Sequence, residues 1–491
     1  MQSPSSKLYK AIKSSMISRV STYLVQFAAM VFYARLFTPE EFGLVASVHV
    51  FVLLFQLLCE AGLTTAIINE GDIDQKKRDH FFGLTVALGG LFCTLFWLFS
   101  FVLNSLYSYG AYQYLAPFFC VSILFQSISV VPLSALQRET QFGQIALADI
   151  SGELCASTIV FIGWYFGLGV FALCLRPPSV ALVRFCLFYV LAGKRSMGFC
   201  KIGWSNDSVR SIIGFSSYQL GFNFINYFTR NLDNILIGRY LGIQSLGVYD
   251  RAYQLMRYPL QLITFSMTPA IQPILRKHKD NLQLVVSEHN ILVEKVFIVS
   301  IFIALYMFFL AEEIILILFG EVWIEVAPLV QIFAVMIPVQ MVMSTSGAFF
   351  LAMGRPGLLF TCGVIGFAIC GTAIITGTIL GTVEYIAMAL TAGFYINFIQ
   401  VYFILFKRCF NSPFGDFYRR LGGVALRYVP VTIALYSALQ WLTVTQNSWV
   451  SLVGNCAIGL VVLILSCLIF ARTMFANVLS SVGHSNKELV G

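Results

Sequence analysis

The chain has 491 residues, 58% of them hydrophobic and 11% charged, with a mean hydropathy of +0.82. Ordinary soluble domains carry roughly 25% charged residues, so a water-soluble globule is excluded and a polytopic membrane protein is expected. The net charge of +8 does not point to nucleic acid, because Lys and Arg gather in every second link between apolar runs.

Those runs are continuous and rich in Leu, Ile and Phe rather than alternating, which predicts helices and not a β-barrel. Each is close to the roughly 20 residues needed to cross a hydrocarbon core of about 30 Å. The opening stretch, MQSPSSKLYKAIKSS, is basic and lacks a small-residue cleavage site, so no removable signal peptide is expected and the first span is its own targeting signal. Fourteen spans are predicted, over 16–37, 44–68, 81–103, 114–136, 143–166, 170–192, 211–237, 248–272, 291–310, 328–352, 358–380, 385–406, 422–442 and 449–471. Links on one side hold Lys7 to Lys13, Lys76 to Arg78, Arg138, Lys194 to Arg210, Arg276 to Lys279, Arg355 and Lys407 to Arg420, and the last stretch on that side holds Arg472 and Lys487. By the positive-inside rule that side is cytoplasmic, with both termini inside. The other side carries Arg35 and Arg239 at span ends and otherwise short, uncharged or acidic links. The longest of these, Glu312 to Glu325, reads as a small amphipathic helix lying at the interface. Pro132, Pro177, Pro178, Pro259, Pro269, Pro338 and Pro430 are expected bending points.

One hairpin organises the rest. Gln219, Asn223, Asn226, Arg230 and Asp233 follow each other at steps of four and three residues. After the break GRYLGIQSLG the rhythm resumes with Asp250, Gln254, Arg257, Gln261, Thr264 and Thr268. On helices such steps put each set on one face. Two apolar, antiparallel helices therefore each carry a polar stripe. The same break reveals an internal repeat: Arg35-Leu-Phe-Thr-Pro-Glu-Glu-Phe-Gly43 is echoed by Arg239-Tyr-Leu-Gly-Ile-Gln-Ser-Leu-Gly247, 204 positions later. Six spans separate the copies, so the repeat runs parallel, with its pseudo-axis along the membrane normal. The expected architecture is an all-α membrane protein of two six-helix lobes, 1–200 and 201–410, followed by two extra helices and a cytoplasmic tail over 411–491.

A charged side chain near mid-membrane costs roughly 2.5–3.5 kcal/mol, so such residues usually face the bundle interior or a wet cavity. Arg257 falls about 13 Å in from the external end of its span. Arg230 and Asp233 lie near the external end of theirs, as does Arg176, while Arg184, Arg19, Glu60, Asp149 and Glu153 fall in the inner half. Asp149 and Glu153, four apart, share a face. Twelve cysteines scattered singly read as small core hydrophobes, and His49, His80, His278, His289 and His484 form no cluster, so no metal site is expected. No GxxxxGK[ST], GxSxG or HExxH occurs. The expectation is carriage without an enzymatic step and without a cofactor.

ARLFTPEEFGLVA, GLTTAIIN, LDNILIGRYLG, LGVYDRAYQL, PAIQPIL and ILFGEVW, in that order over nearly the whole chain, resemble the Wzx-type polysaccharide flippases. These belong to the multidrug/oligosaccharidyl-lipid/polysaccharide exporter superfamily, and the colanic-acid-exporter-like branch is the nearest. The resemblance implies fourteen helices in two lobes around a central cavity. It also implies movement of an undecaprenyl-diphosphate-linked oligosaccharide between the leaflets of a bacterial cytoplasmic (inner) membrane by alternating access, for surface polysaccharide. The implied partners are that substrate, membrane lipid, a polysaccharide polymerase and a chain-length regulator. On this reading Arg257, Arg230 and Arg184 meet the diphosphate, since a guanidinium fork suits phosphate oxygens. Gln219, Asn223, Asn226, Gln254 and Gln261 exchange hydrogen bonds with sugar hydroxyls. Glu60, Asp149, Glu153 and Asp233 are candidates for coupling to H+ or Na+.

Bland alternatives stand beside each of these. Arg230 and Asp233 could pair with Asp250 and Arg251 across the hairpin, the amide stripes could be interhelical glue, Arg176 could snorkel outward, and the inner carboxylates could pair with Arg19 or Arg184. Two other functions also stand: a drug or cation antiporter of the same superfamily, and a membrane polymerase or ligase of lipid-linked sugars. The first would want a small pocket led by carboxylates, the second a sizeable external catalytic loop.

Overall fold

The computed structural model describes residues 4–60, 63–69, 74–107, 112–195, 197–205, 230–265 and 281–442, with single positions between and beyond them. All its described regular elements are helical. They are α1 (Pro4–Leu36), α2 (Pro39–Glu60), α3 (Leu63–Asn69), α4 (Gln75–Tyr107), α5 (Tyr112–Ile128), α6 (Val130–Arg138), α7 (Phe142–Tyr165), α8 (Val170–Cys174) and α9 (Arg176–Gly193). Next come α10 (230–240), α11 (Ile243–Pro259), α12 (Leu282–Phe309), α13 (Ala311–Leu318), α14 (Val326–Ala352), α15 (Pro356–Leu380), α16 (Val383–Ile404) and α17 (Gly415–Leu442). Among the described residues nine stretches are long and apolar enough to cross a membrane. Most of the predicted seventh and fourteenth spans, and the tail, lie outside the described residues.

Local chemistry explains the boundaries. At the start of α2 the Thr38 hydroxyl and amide both donate to Glu41 Oε2, at 3.1 and 2.9 Å. With Pro39 in the first turn, this is a capping box that stops α1 and starts α2. Asn281 and Thr382 accept from the amides of Leu284 and Tyr385 in the same way at the starts of α12 and α16. The proline expectations divide. A break at Ser129 precedes Pro132, Pro177 and Pro178 open α9, and Pro259 ends α11 in a π-helical turn, Leu260–Phe265. Pro338 and Pro430, by contrast, sit inside uninterrupted α14 and α17.

The bundle has two distinct ends. At the basic end the link after α9 docks on the start of α4. There Asp79 takes the amides of Lys201 and Gly203 (2.8 and 3.1 Å), and the buried Arg78 reaches the Met197 carbonyl. At the opposite end the two halves of the chain meet. There α2 lies against α11, and at Gly43 the Ile243 carbonyl comes so near that a Cβ would sit 1.8 Å from its oxygen. At Gly247 the Pro39 carbonyl stands 1.9 Å from the same imagined atom. Only glycine permits such a crossing.

Arginines finish this end. Arg35 donates to the carbonyls of Leu316, Ile317 and Leu318 at the end of α13, and Arg239 to those of Ser105 and Leu106 at the end of α4. Each supplies a cation to helix-terminal carbonyls that lack partners. The link expected as a small amphipathic helix is helical over α13, and the residues after it turn partly inward. After α13, Trp323 is fully buried, packs on Phe42 at 5.3 Å and donates from Nε1 to the Ala34 carbonyl at 2.7 Å.

The described cysteines are free, and Cys59, Cys120, Cys174, Cys200, Cys362 and Cys370 are buried as expected of small hydrophobes. No metal-ligating cluster occurs among the described residues.

Candidate functional site

Beside the Gly43–Gly247 crossing lies a cavity of about 340 Å³ between the halves of the chain, lined on α2 by Val45, His49 and Leu53. Its wall on α11 is the polar stripe read from the sequence, with Asp250, Gln254, Arg257 and Gln261 all on it. Past Pro259 the π-helical turn widens the helix just where Gln261 lines the cavity. Such turns recur at functional sites. From the other walls Arg176, Arg230 and His49 reach the same space.

The charges on this wall fall into two kinds. Arg251 is held by Asp250 at 2.9 Å and lies over the Phe42 ring at 4.2 Å, and Gln254 donates to the same carboxylate at 2.8 Å. Arg176, for which outward snorkelling was one of two alternatives, turns inward: its Nε meets Glu153 at 2.9 Å and its guanidinium sits 5.0 Å from the Tyr33 ring. The helix break at Leu175, just before Pro177 and Pro178, starts a new helix at Arg176. Arg230 and Arg257 have no carboxylate within ion-pair distance among the described residues, and the sole ring beside Arg257 is Tyr253, 6.0 Å away. Two guanidinium groups in one cavity, unmatched by carboxylates, make a site for an anion with several oxygens.

The hairpin pairing weighed from the sequence is not the one formed. Asp233 is buried and accepts from the Tyr249 hydroxyl at 2.8 Å, and Arg251 takes its own neighbour Asp250. Arg184 lies away from the other two candidate arginines. It lines a second cavity of about 320 Å³, between α1, α6, α7 and α9, where its Nε meets Asp149 at 2.8 Å. Asp149 and Glu153 do share a face, and both line this second cavity. Glu60 lines neither of these two cavities and is exposed at the end of α2. Gln219, Asn223, Asn226 and Thr268 lie outside the described residues.

Sequence reasoning missed the wall of the second cavity on α1. Ser15, Ser18, Thr22 and Gln26 line it at steps of three and four, with Arg19 and Tyr23 beside them. The signal was present in the same period that marked α11. It was overlooked because hydroxyl residues are common in membrane helices, where they bond back to their own backbone. Thr22 does so, donating to the Ser18 carbonyl at 3.0 Å.

Comparisons with known proteins bear on family and fold. A family model described as "Polysaccharide biosynthesis protein" matches residues 32–328. The succinoglycan biosynthesis transport protein ExoT of Rhizobium meliloti is 22% identical over 95% of this chain and 93% of its own length. The lipopolysaccharide biosynthesis protein WzxC of Escherichia coli is 23% identical over 83% of each. Among solved structures, the lipid II flippase MurJ in an inward closed conformation superposes with a TM-score of 0.74. It covers 95% of this chain and 100% of its own at 13% identity, a likeness of fold.

Proposed function

The chain belongs to the polysaccharide biosynthesis protein family, and from that premise we propose that it is a flippase carrying lipid-linked oligosaccharide across the cytoplasmic membrane. The substrate class is a repeat unit on undecaprenyl diphosphate, and the product is surface polysaccharide made elsewhere by a polymerase and its chain-length regulator. The observation that carries this reading is the pair Arg230 and Arg257: two unmatched guanidinium groups in a cavity between the halves of the chain. In a low-dielectric wall their field is weakly screened, and a diphosphate supplies the missing charge. The chain itself breaks no bond in this scheme.

Alternating access follows from the same layout. The lobes, 1–200 and 201–410, rock about the central site, with the basic links at the cytoplasmic end. The reciprocal contacts of Gly43 with Ile243 and Gly247 with Pro39 support a two-fold relation between the lobes, since each residue stands 204 positions from its counterpart. With that end clasped, the cavity serves the cytoplasmic leaflet, so the headgroup enters while the polyprenyl tail stays in lipid. Asp233, buried without a basic partner among the described residues, is the carboxylate best suited to take up a coupling proton or sodium ion.

The test is leaflet-resolved detection of lipid-linked oligosaccharide in a deletion strain complemented with this chain. Retention on the inner leaflet in the deletion, relieved by the wild type and not by Arg257→Ala, is the expected result. Outer-leaflet accumulation in the deletion would assign the chain to a later, polymerising step.

A further inference from the structure

The central cavity has two annexes, and they differ in chemistry. Towards the second half of the chain it shares Arg230 and Tyr253 with a cavity of about 390 Å³ walled by Met343, Phe360, Ile374 and Leu390. Towards the first half it meets, at Gln26, the cavity of about 320 Å³ whose α1 wall is the hydroxyl and amide stripe. Opposite that stripe stand Gln137 and the Asp149–Arg184 pair.

We propose that this α1 cavity is the saccharide subsite, in which the first sugars of the lipid-linked substrate lie along Ser15, Ser18, Thr22 and Tyr23 while the diphosphate lies at Arg230 and Arg257. The proposal rests on the reading of the central cavity as the diphosphate site. Charge separates the two compartments. In the α1 cavity Asp149 answers Arg184 and Glu153 is held by Arg176, which leaves one arginine there, the exposed Arg19, whereas the central wall keeps two, Arg230 and Arg257. An anion is drawn to the second, and a neutral, hydroxyl-rich group loses nothing by entering the first.

Hydrogen bonding points the same way. Each sugar hydroxyl stripped of water needs a donor and an acceptor in its place. The stripe offers both, since Thr22 spends its proton on the Ser18 carbonyl and presents lone pairs, while Gln26 and Arg19 present N–H groups. The other annex carries Asp233, Ser346 and Asn397, but most of its wall is apolar, with Met343, Phe360, Ile374 and Leu390 among it, so fewer of the same hydroxyls would find partners there. Tyr23 and Phe142 add apolar surface for the ring faces. The volume lies at the lower end of ligand pockets, which start at roughly 300 Å³, so it suits one or two sugar rings rather than a whole repeat unit. A sugar bonded directly to the diphosphate must lie next to it, and the shared Gln26 makes the two cavities neighbours.

The experiment measures binding of the full chain in nanodiscs to undecaprenyl diphosphate, and to undecaprenyl diphosphate bearing glucose, galactose or N-acetylglucosamine. Wild type should bind at least one glycolipid about tenfold tighter than the sugarless lipid. The triple variant Ser18→Ala, Thr22→Val, Tyr23→Phe should erase that gain while keeping the wild-type affinity for the sugarless lipid, which also reports that it folds. A wild type that binds all four lipids alike, or a triple variant that keeps the full preference, overturns the subsite and leaves the diphosphate reading standing. Failure of the wild type to bind undecaprenyl diphosphate at all removes the premise instead.

Discussion

The two halves of the chain are alike where they touch and unlike where they face the cavity. At the crossing, Gly43 meets a carbonyl of the second half and Gly247 meets the equivalent carbonyl of the first, with nearly equal closeness. Beyond it, the first half pairs Arg176 with Glu153 and Arg184 with Asp149, while the second pairs Arg251 with Asp250 but leaves Arg230 and Arg257 without carboxylates among the described residues. Likeness at the contact is what the proposed alternating access needs, because both partners would part and meet again along one axis. Unlikeness at the cavity is what a substrate needs, because a matched set of charges would have nothing left to bind.

The sharpest way to break this comparison is to remove the unmatched charges. Charge-assisted hydrogen bonds contribute about 1.5–3 kcal/mol each, so Arg230→Ala with Arg257→Ala should cut surface polysaccharide by a hundredfold or more at unchanged protein level. Normal polysaccharide in the double variant would show these two arginines to be idle.

The glycine clasp should give the next largest effect. Gly43→Ala forces a methyl into the Ile243 carbonyl, and overpacking of this sort costs about 1–3 kcal/mol. The clasped state should become rarer, and a cysteine placed at Gln254 should react faster with an impermeant maleimide added from outside. Gly247→Ala should match it in size; an effect confined to one glycine would mean that the two halves are not equivalent at the crossing.

Matched charges predict a different pattern, one of stability. Glu153→Leu strands Arg176 and should cost about 2–3 kcal/mol, the low end of the range for breaking a buried pair, because a third of the Arg176 side chain (34%) is exposed. Adding Arg176→Leu should restore most of it, since an apolar pair of similar volume needs no counter-charge. Thermal unfolding of the three variants in detergent reads this directly. A double variant as unstable as the single one would show that Arg176 has work beyond its partner.

How much of this was legible before the structure depended on the range of the interaction. The α11 stripe was legible because a helix converts steps of three and four into a face, and so were the Gly43 and Gly247 blocks, because both copies repeat the same Arg and Gly. The partner of Arg176 was not, since Glu153 lies 23 positions away and a helix break sets the angle between them. Nor was the burial of Trp323, which depends on a carbonyl 289 positions distant; from local composition alone the segment reads as an interfacial helix. The α1 stripe was legible in principle, but Ser and Thr carry no charge to attract notice, and only Arg19 stood out.

The smallest effect should come from the arginines that finish the clasp, and here the likeness of the halves is tested most finely. Arg35 holds three carbonyls at the end of α13 and Arg239 two at the end of α4. Both side chains are exposed, so water competes for the same carbonyls and each arginine contributes about 1 kcal/mol at most, as surface charges at helix ends do. Arg35→Gln and Arg239→Gln should therefore each raise maleimide labelling at the Gln254→Cys position only a few-fold. Because each caps a helix of the other half, they act on the same closed state from opposite sides, and the double variant should multiply the two single effects. Labelling unchanged in both would leave the glycine crossing to hold the end shut unaided. A large effect from Arg35 alone would instead place the control in the segment between α13 and the buried Trp323, which only the second half of the chain supplies.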